Sequence, residues 1–439
     1  MKAKMKKTVT TWAMLIALLA ATGCSETETA IEPEPGGNGD QVALGVAANL
    51  KVDAGARSVS KSVVSGEAIT YTDFTTAPGI GVLITNSDVN GWYTPDDATA
   101  KHHVWYMGDG AGANWISITT KGDTYDATKE VPYYLTKEIG KVYAYYPYKA
   151  DAANGLVGIS SESSLKIPVT VPATGEAIDA TTNNAKKKWN GANAWVAADA
   201  DDLVNLSSST ENDYLYFAGT NGRNVNNGRA DGQPLVAPGH GDNNSTTNPG
   251  YEINLDMKHA MAMVSFRVYD GGNLSDSDVN FTKFEIKNHA GGSNLFKTGD
   301  GKMALKDGAI TETATTTSMT RTITNYILMK QIKEGETEGE HAFIPTGTTP
   351  TSTNGKTVSK AVSTIVYPIE SFGDDQIDVV ITLQKGVEPA VDYTITLPGN
   401  TWAAGLNYIY TFSASRTKLT VVDVSVKPWE DKEQPEIPL

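Results

Sequence analysis

From Val42 to Val52 the chain alternates strictly between two kinds of residue. Val42, Leu44, Val46, Ala48, Leu50 and Val52 hold one parity, and Ala43, Gly45, Ala47, Asn49 and Lys51 the other. A period of two over that length predicts a strand with one buried face. Comparable runs follow at 78–84, 104–107, 141–146, 263–268, 376–383 and 393–397. Clusters of Gly, Asn, Asp, Ser and Pro divide them, and Thr, Val and Tyr are abundant. Apolar residues at helical spacing are not found in any stretch. The pattern predicts an all-β chain of sandwich type.

At 439 residues the chain is long enough to bury its own core, with roughly two or three domains expected. The stretch 221–250 reads as a loop by composition, and strand patterns resume at Tyr251. That predicts an N-terminal β-sandwich domain over 41–250 and a C-terminal one over 251–439. A long loop inside one domain would leave the same signature.

Ahead of the first strand, Lys2, Lys4, Lys6 and Lys7 precede an apolar stretch from Trp12 to Ala21. This is the layout of an export signal over 1–23, too short to span a bilayer. Its end, Leu19-Ala20-Ala21-Thr22-Gly23-Cys24, resembles a bacterial lipobox, and Cys24 is the only cysteine of the chain. In such signals the thiol is diacylated and the leader removed, and two or three acyl chains give lasting attachment to a membrane. The alternative is an ordinary secretory signal with a buried thiol. Residues 24–40 are rich in acid, Pro and Gly and read as an extended tether. Acidic residues just behind the cysteine also resemble the tags that carry Bacteroidetes lipoproteins to the cell surface.

Composition narrows the partners. A lone cysteine excludes an internal disulfide framework. The formal charge is −15, and removing the four lysines of the leader leaves about −19. An acidic surface of that size argues against nucleic acid and anionic lipid. No later segment is apolar for long enough to cross a membrane as a helix, so the lipid is the expected anchor.

The patterns of catalysis are weak. His102, His103, His240, His259, His289 and His341 show no zinc-ligand spacing, and no Gly-x-Ser-x-Gly elbow occurs. Gly108-Asp109-Gly110-Ala111-Gly112-Ala113 mimics a dinucleotide loop, but no helical pattern follows, so it reads as a hairpin turn. The pairs Asp96-Asp97, Asp201-Asp202 and Asp374-Asp375 read as solvated loop acids, with Ca²⁺ binding as the alternative. Neither an enzyme nor a cofactor is expected.

Five short patterns, in order, resemble the fimbrillin-like proteins of Bacteroidales. They are Val142-Tyr143-Ala144-Tyr145-Tyr146-Pro147-Tyr148, Asp213-Tyr214-Leu215-Tyr216-Phe217-Ala218 and Lys258-His259-Ala260-Met261-Ala262-Met263-Val264-Ser265-Phe266. Trp402-Ala403-Ala404-Gly405-Leu406-Asn407-Tyr408-Ile409-Tyr410 and Val424-Ser425-Val426-Lys427-Pro428-Trp429-Glu430 complete the set. The resemblance implies two tandem transthyretin-like β-sandwich domains in a pilus subunit. Such subunits travel as lipoproteins to the outer membrane and are cut by an arginine-specific protease after the first strand. An extended segment of another subunit then fills the groove left behind, and the assembled fimbria supports adhesion to a host or bacterial surface ligand.

Arg57, in Asp53-Ala54-Gly55-Ala56-Arg57-Ser58, is the only arginine before residue 223, which places the implied cut between Arg57 and Ser58. A solvated loop arginine is the alternative. The candidate donor strand lies in 419–427, with Val422, Val424 and Val426 on one face and Asp423, Ser425 and Lys427 on the other. The same segment also reads as the last strand of the C-terminal sandwich. Two competing roles remain open: a monomeric surface lipoprotein that binds glycans through Trp92, Tyr93, Trp105 and Trp115, or an uncleaved lipidated anchor subunit.

Overall fold

The computed structural model describes residues 42–47, 80–93, 103–107, 115–119, 133–148, 159–180, 187–189, 195–196, 211–217, 223–228, 250–255, 257–271, 274, 279–331, 342–343, 357–358 and 361–428. Among them the chain is all-β, as its alternation predicts, and helical geometry is confined to one 3₁₀ turn, Glu162–Ser164. The strand Lys166–Val171 shows the cause directly. Ile167, Val169 and Val171 are buried, while the residues between them stay wholly or partly in solvent.

The N-terminal part is built on a seven-stranded sheet. Its spatial order is Met257–His259, Leu215–Phe217, Gly140–Tyr146, Ile80–Asn86, His103–Met107 and Trp115–Thr119, with Asn224–Val225 also paired to Gly140–Tyr146. The central strands are apolar on both faces because both faces are covered. Ile80, Val82, Ile84, Val142, Ala144 and Tyr146 enter a smaller core. Leu83, Tyr143 and Tyr145, of opposite parity, enter a larger one.

That larger core continues between two C-terminal sheets. In one, Ala262–Asp270 lies between Val362–Val366 and Leu406–Ala414, and Leu419–Pro428 is outermost. The other runs Val391–Thr396, Ile377–Lys385, Val279–Asn288, Ser318–Thr324 and Ile178–Asp179. Phe266 and Phe284 meet between them edge to face, with ring centroids 5.0 Å apart. A register shift between Phe281 and Lys283 lets Phe281 and Phe284, three residues apart, both turn fully inward.

Strand pairing crosses the expected boundary near 250 in both directions. Lys166–Val171 pairs along its whole length with Thr298–Ala304, and Ile178–Asp179 pairs with Ser318–Thr324. Glu252–Asn254 and Met257–His259, in turn, ladder onto strands of the N-terminal part. All the described residues fall in one unit, 38–439. Within 221–250, read as a loop, the described residues hold one short strand. Asn224–Val225 is a strand, and Val225, Asn226 and Asn227 are almost fully buried. Asn-rich composition suggests solvent, but here Asn226 accepts the Gly228 amide at 2.9 Å inside the fold.

Candidate functional site

The first strand does not lie along one neighbour. Val42–Ala43 runs antiparallel to Tyr134–Leu135, and Gly45–Ala47 runs parallel to Glu252–Asn254. At the crossover, the Leu44 amide donates to the Tyr133 carbonyl at 2.8 Å and the Gly45 amide to the Tyr251 carbonyl at 2.9 Å. The segment is thus held in a slot between two short walls, one from each side. Leu44 is 3% exposed and shares the smaller core with Tyr133, Leu135, Ile253 and Leu255, while Val46 packs against that core. The parity read from the sequence holds here: Leu44 and Val46 point in because the alternation puts them there.

Buried polar groups hold the walls. The Tyr93 hydroxyl donates to the Glu138 carbonyl at 2.7 Å and accepts the Thr136 amide at 3.0 Å, which fixes the turn behind Tyr134–Leu135. Burial raises the pKa of this hydroxyl and keeps it a donor. Asn226 and Asn227 join the two walls, since their amides donate to the Gly250 and Thr136 carbonyls at 3.0 and 2.7 Å. Three residues beyond the second wall begins Met257–His259, which pairs with Leu215–Phe217. There the His259 ring meets the buried Asp213 carboxylate at 2.9 Å.

These contacts give the sequence patterns a physical meaning. Asp213 and His259 come from two different patterns and meet across one ladder. Within a third, Trp402 Nε1 donates to the Tyr410 hydroxyl at 3.0 Å and the Ala403 amide to the Tyr408 hydroxyl at 2.9 Å. Gly405 between them has φ +75°, a conformation that glycine adopts without strain. These three patterns are scaffold, held by polar contacts inside the fold.

Of the residues singled out from the sequence, Val42, Leu44 and Val46 belong to the segment held in the slot. Cys24, Ala48, Leu50, Val52, Arg57 and Ser58 lie outside the described residues. The candidate donor segment is the outermost strand of its sheet, laddered to Leu406–Ala414 from Leu419 to Pro428. A register shift at Val422 changes its parity, so that Val421 and Val424 pack on the larger core. Val426, on the same face, is 47% exposed. Among the aromatics considered for stacking, Tyr93 is a core residue and Trp92 packs against the larger core. Trp105 and Trp115 fall on adjacent strands.

Sequence reasoning missed both walls, because segments such as Tyr134–Leu135 and Glu252–Asn254 are too short to show a period. It also missed Glu211 and Arg321, a fully buried ion pair. A signal for Arg321 was present: it takes an inward position in the alternation Met319-x-Arg321-x-Ile323.

Residues 234–429 match the family described as fimbrillin-like, a stretch that includes the patterns beginning at Lys258 and Trp402. Solved structures similar to this one include a putative cell adhesion protein from Bacteroides uniformis, 13% identical, covering 90% of this chain and 100% of its own, with a TM-score of 0.42. A fimbrial protein from Bacteroides vulgatus is 13% identical, with 89% and 99% covered and a TM-score of 0.41. The tip fimbrial protein Mfa3 from Porphyromonas gingivalis, with a C-terminal truncation, is 10% identical, with 81% and 96% covered and a TM-score of 0.28. No curated protein matches the chain in sequence.

Proposed function

We propose that this protein is a structural subunit of a cell-surface fimbria. It is exported as a precursor lipidated at Cys24, cut between Arg57 and Ser58, and polymerised when a strand of another copy takes the place of its own first strand. The observation that carries this reading is the slot. An alternating segment near the N-terminus is bonded on both sides by short ladders and inserts Leu44, with Val46 packed beside it, into the smaller core. Removing it would uncover two rows of backbone groups and an apolar pocket, a template for an incoming extended strand. Such a strand would recover about 1.5–3 kcal/mol for each apolar side chain it buries, with hydrogen bonds beside it.

The fimbrillin-like stretch supports the same role. The partners on this reading are other fimbrial subunits, an arginine-specific protease, the outer membrane through the precursor's lipid, and a surface ligand for the assembled fibre. The test is the N-terminus of protein sheared from cells. A heat-resistant ladder of chains starting at Ser58, abolished by Arg57→Ala, is the expected result. A monomer that still begins at lipidated Cys24 would sink it. That outcome would favour a second reading, the uncleaved lipidated anchor, which the full ladder of Leu419–Pro428 along Leu406–Ala414 also suits.

A further inference from the structure

The buried ion pair has no part in the slot itself, yet it sits in an unusual place. The strand Ser318–Thr324 presents Met319, Arg321 and Ile323 inward, so a guanidinium occupies a position that the alternation reserves for an apolar side chain. Arg321 is 0% and Glu211 1% exposed. Both charges are satisfied. Arg321 Nε donates to Glu211 Oε1 at 2.7 Å, Nη1 to the Thr320 carbonyl and Nη2 to the Pro172 carbonyl, each at 2.9 Å. Glu211 also accepts the Thr364 hydroxyl at 2.5 Å and, through Oε2, the Ile365 amide at 2.9 Å. One carboxylate and one guanidinium therefore join four stretches of chain: the end of Lys166–Val171, the approach to Leu215–Phe217, Ser318–Thr324 and Val362–Val366.

Stability alone does not account for such a pair, because well-packed apolar residues of the same volume serve as well or better. What a charged pair adds is direction, since its hydrogen bonds are made in one relative placement only. Four residues after Glu211 the chain becomes the strand Leu215–Phe217, whose Leu215 and Phe217 enter the smaller core. That strand is laddered to Met257–His259, and Asp213 binds His259 beside the ladder. Met257–His259 begins three residues after the end of Glu252–Asn254, the second wall of the slot.

We infer that Glu211 and Arg321 are positioning residues for the first-strand slot. They fix the approach to Leu215–Phe217 against the C-terminal sheets, and through the ladder to Met257–His259 they set the place of the Glu252–Asn254 wall. The inference deepens the strand-exchange reading, and its relevance to assembly rests on that reading. The positioning itself is a property of the uncut chain.

The experiment is amide hydrogen exchange on the full chain, with two variants. Glu211→Leu combined with Arg321→Met removes the directional bonds while keeping the site packed. Thr364→Val removes one hydrogen bond to Glu211 and leaves the pair in place. The expected result is exchange about tenfold faster at Leu44, Gly45 and Ile253 in the double variant, and about threefold faster in Thr364→Val. Amides of the Ile377–Lys385 strand should keep their protection in both. A pair that only fills space would leave the slot amides within about twofold of the parent protein, and that outcome overturns the inference. Equal loss of protection at the slot and at Ile377–Lys385 overturns it as well. If the double variant does not fold, Thr364→Val decides by the same criteria. Failure of Arg57→Ala to abolish surface ladders would refute the proposed function and leave this result standing.

Discussion

The smaller and larger cores draw on the same residue types and are closed in different ways. Around the larger core, long strands pair over many residues, as Val279–Asn288 does with Ile377–Lys385. Aromatic side chains interlock there from both sheets. The smaller core is closed on its open side by short segments, and the chain between Val42 and Ala47 bonds first to one and then to the other. A long ladder can be lost only with the sheet. A short one opens by itself, because local opening has its own free energy, set by the few contacts it breaks. The difference marks the first strand as the element that the proposed strand exchange would release.

Arg321→Met breaks the comparison most severely. It leaves a buried carboxylate without its counter-charge, and the expected loss is about 3–5 kcal/mol in urea denaturation, with most of it recovered when Glu211→Leu is added. Burial already raises the pKa of Glu211, and the charge of Arg321 opposes that shift. In Arg321→Met the native state therefore keeps a proton that the unfolded chain releases near pH 4.3. The variant's stability should be greatest below that pH and fall as the pH rises through the native pKa.

Phe284→Ala and Leu44→Ala sharpen the contrast directly. The first should cost about 3–5 kcal/mol and lower the global melting temperature. The second should cost about 2–3 kcal/mol, read mainly as faster exchange at the first strand with the Ile377–Lys385 amides unchanged. Equal global effects would mean that the two cores open together.

Alkaline titration probes the larger core. Burial pushes the Tyr410 hydroxyl up to about 12. The native state holds this proton after the unfolded chain has begun to lose it near pH 10, so stability should fall as the pH climbs from 10 through 12, by about 2–3 kcal/mol at most. Tyr410→Phe should remove that part of the decline. Tyr93→Phe has the smallest expected effect, about 1–2 kcal/mol, localised to the wall behind Tyr134–Leu135 and visible as faster exchange at the Thr136 amide.

Part of this could be read from the chain directly. Leu44 and Val46 turn inward on the parity that alternation predicts, and the all-β class follows from the same period. In 419–427 the alternation gave no sign of the register shift at Val422. A bulge adds a residue to one strand without any mark in composition, and the parity beyond it reverses. Asn226 and Asn227 misled in another way, since an asparagine that satisfies backbone groups inside a fold has the same letter as one in a solvated loop.

Local chemistry accounts for what was legible: an apolar face must be buried, and the pleat of a strand repeats every two residues whatever its neighbours are. Leu44 was therefore an inward residue before any partner was known. That the Leu44 amide meets the Tyr133 carbonyl and the Gly45 amide the Tyr251 carbonyl, on opposite sides, was not contained in that period, and neither was the meeting of Glu211 with Arg321 across 110 residues. Pairings of this kind depend on which distant segments the packed core brings together, and no local pattern encodes that distance.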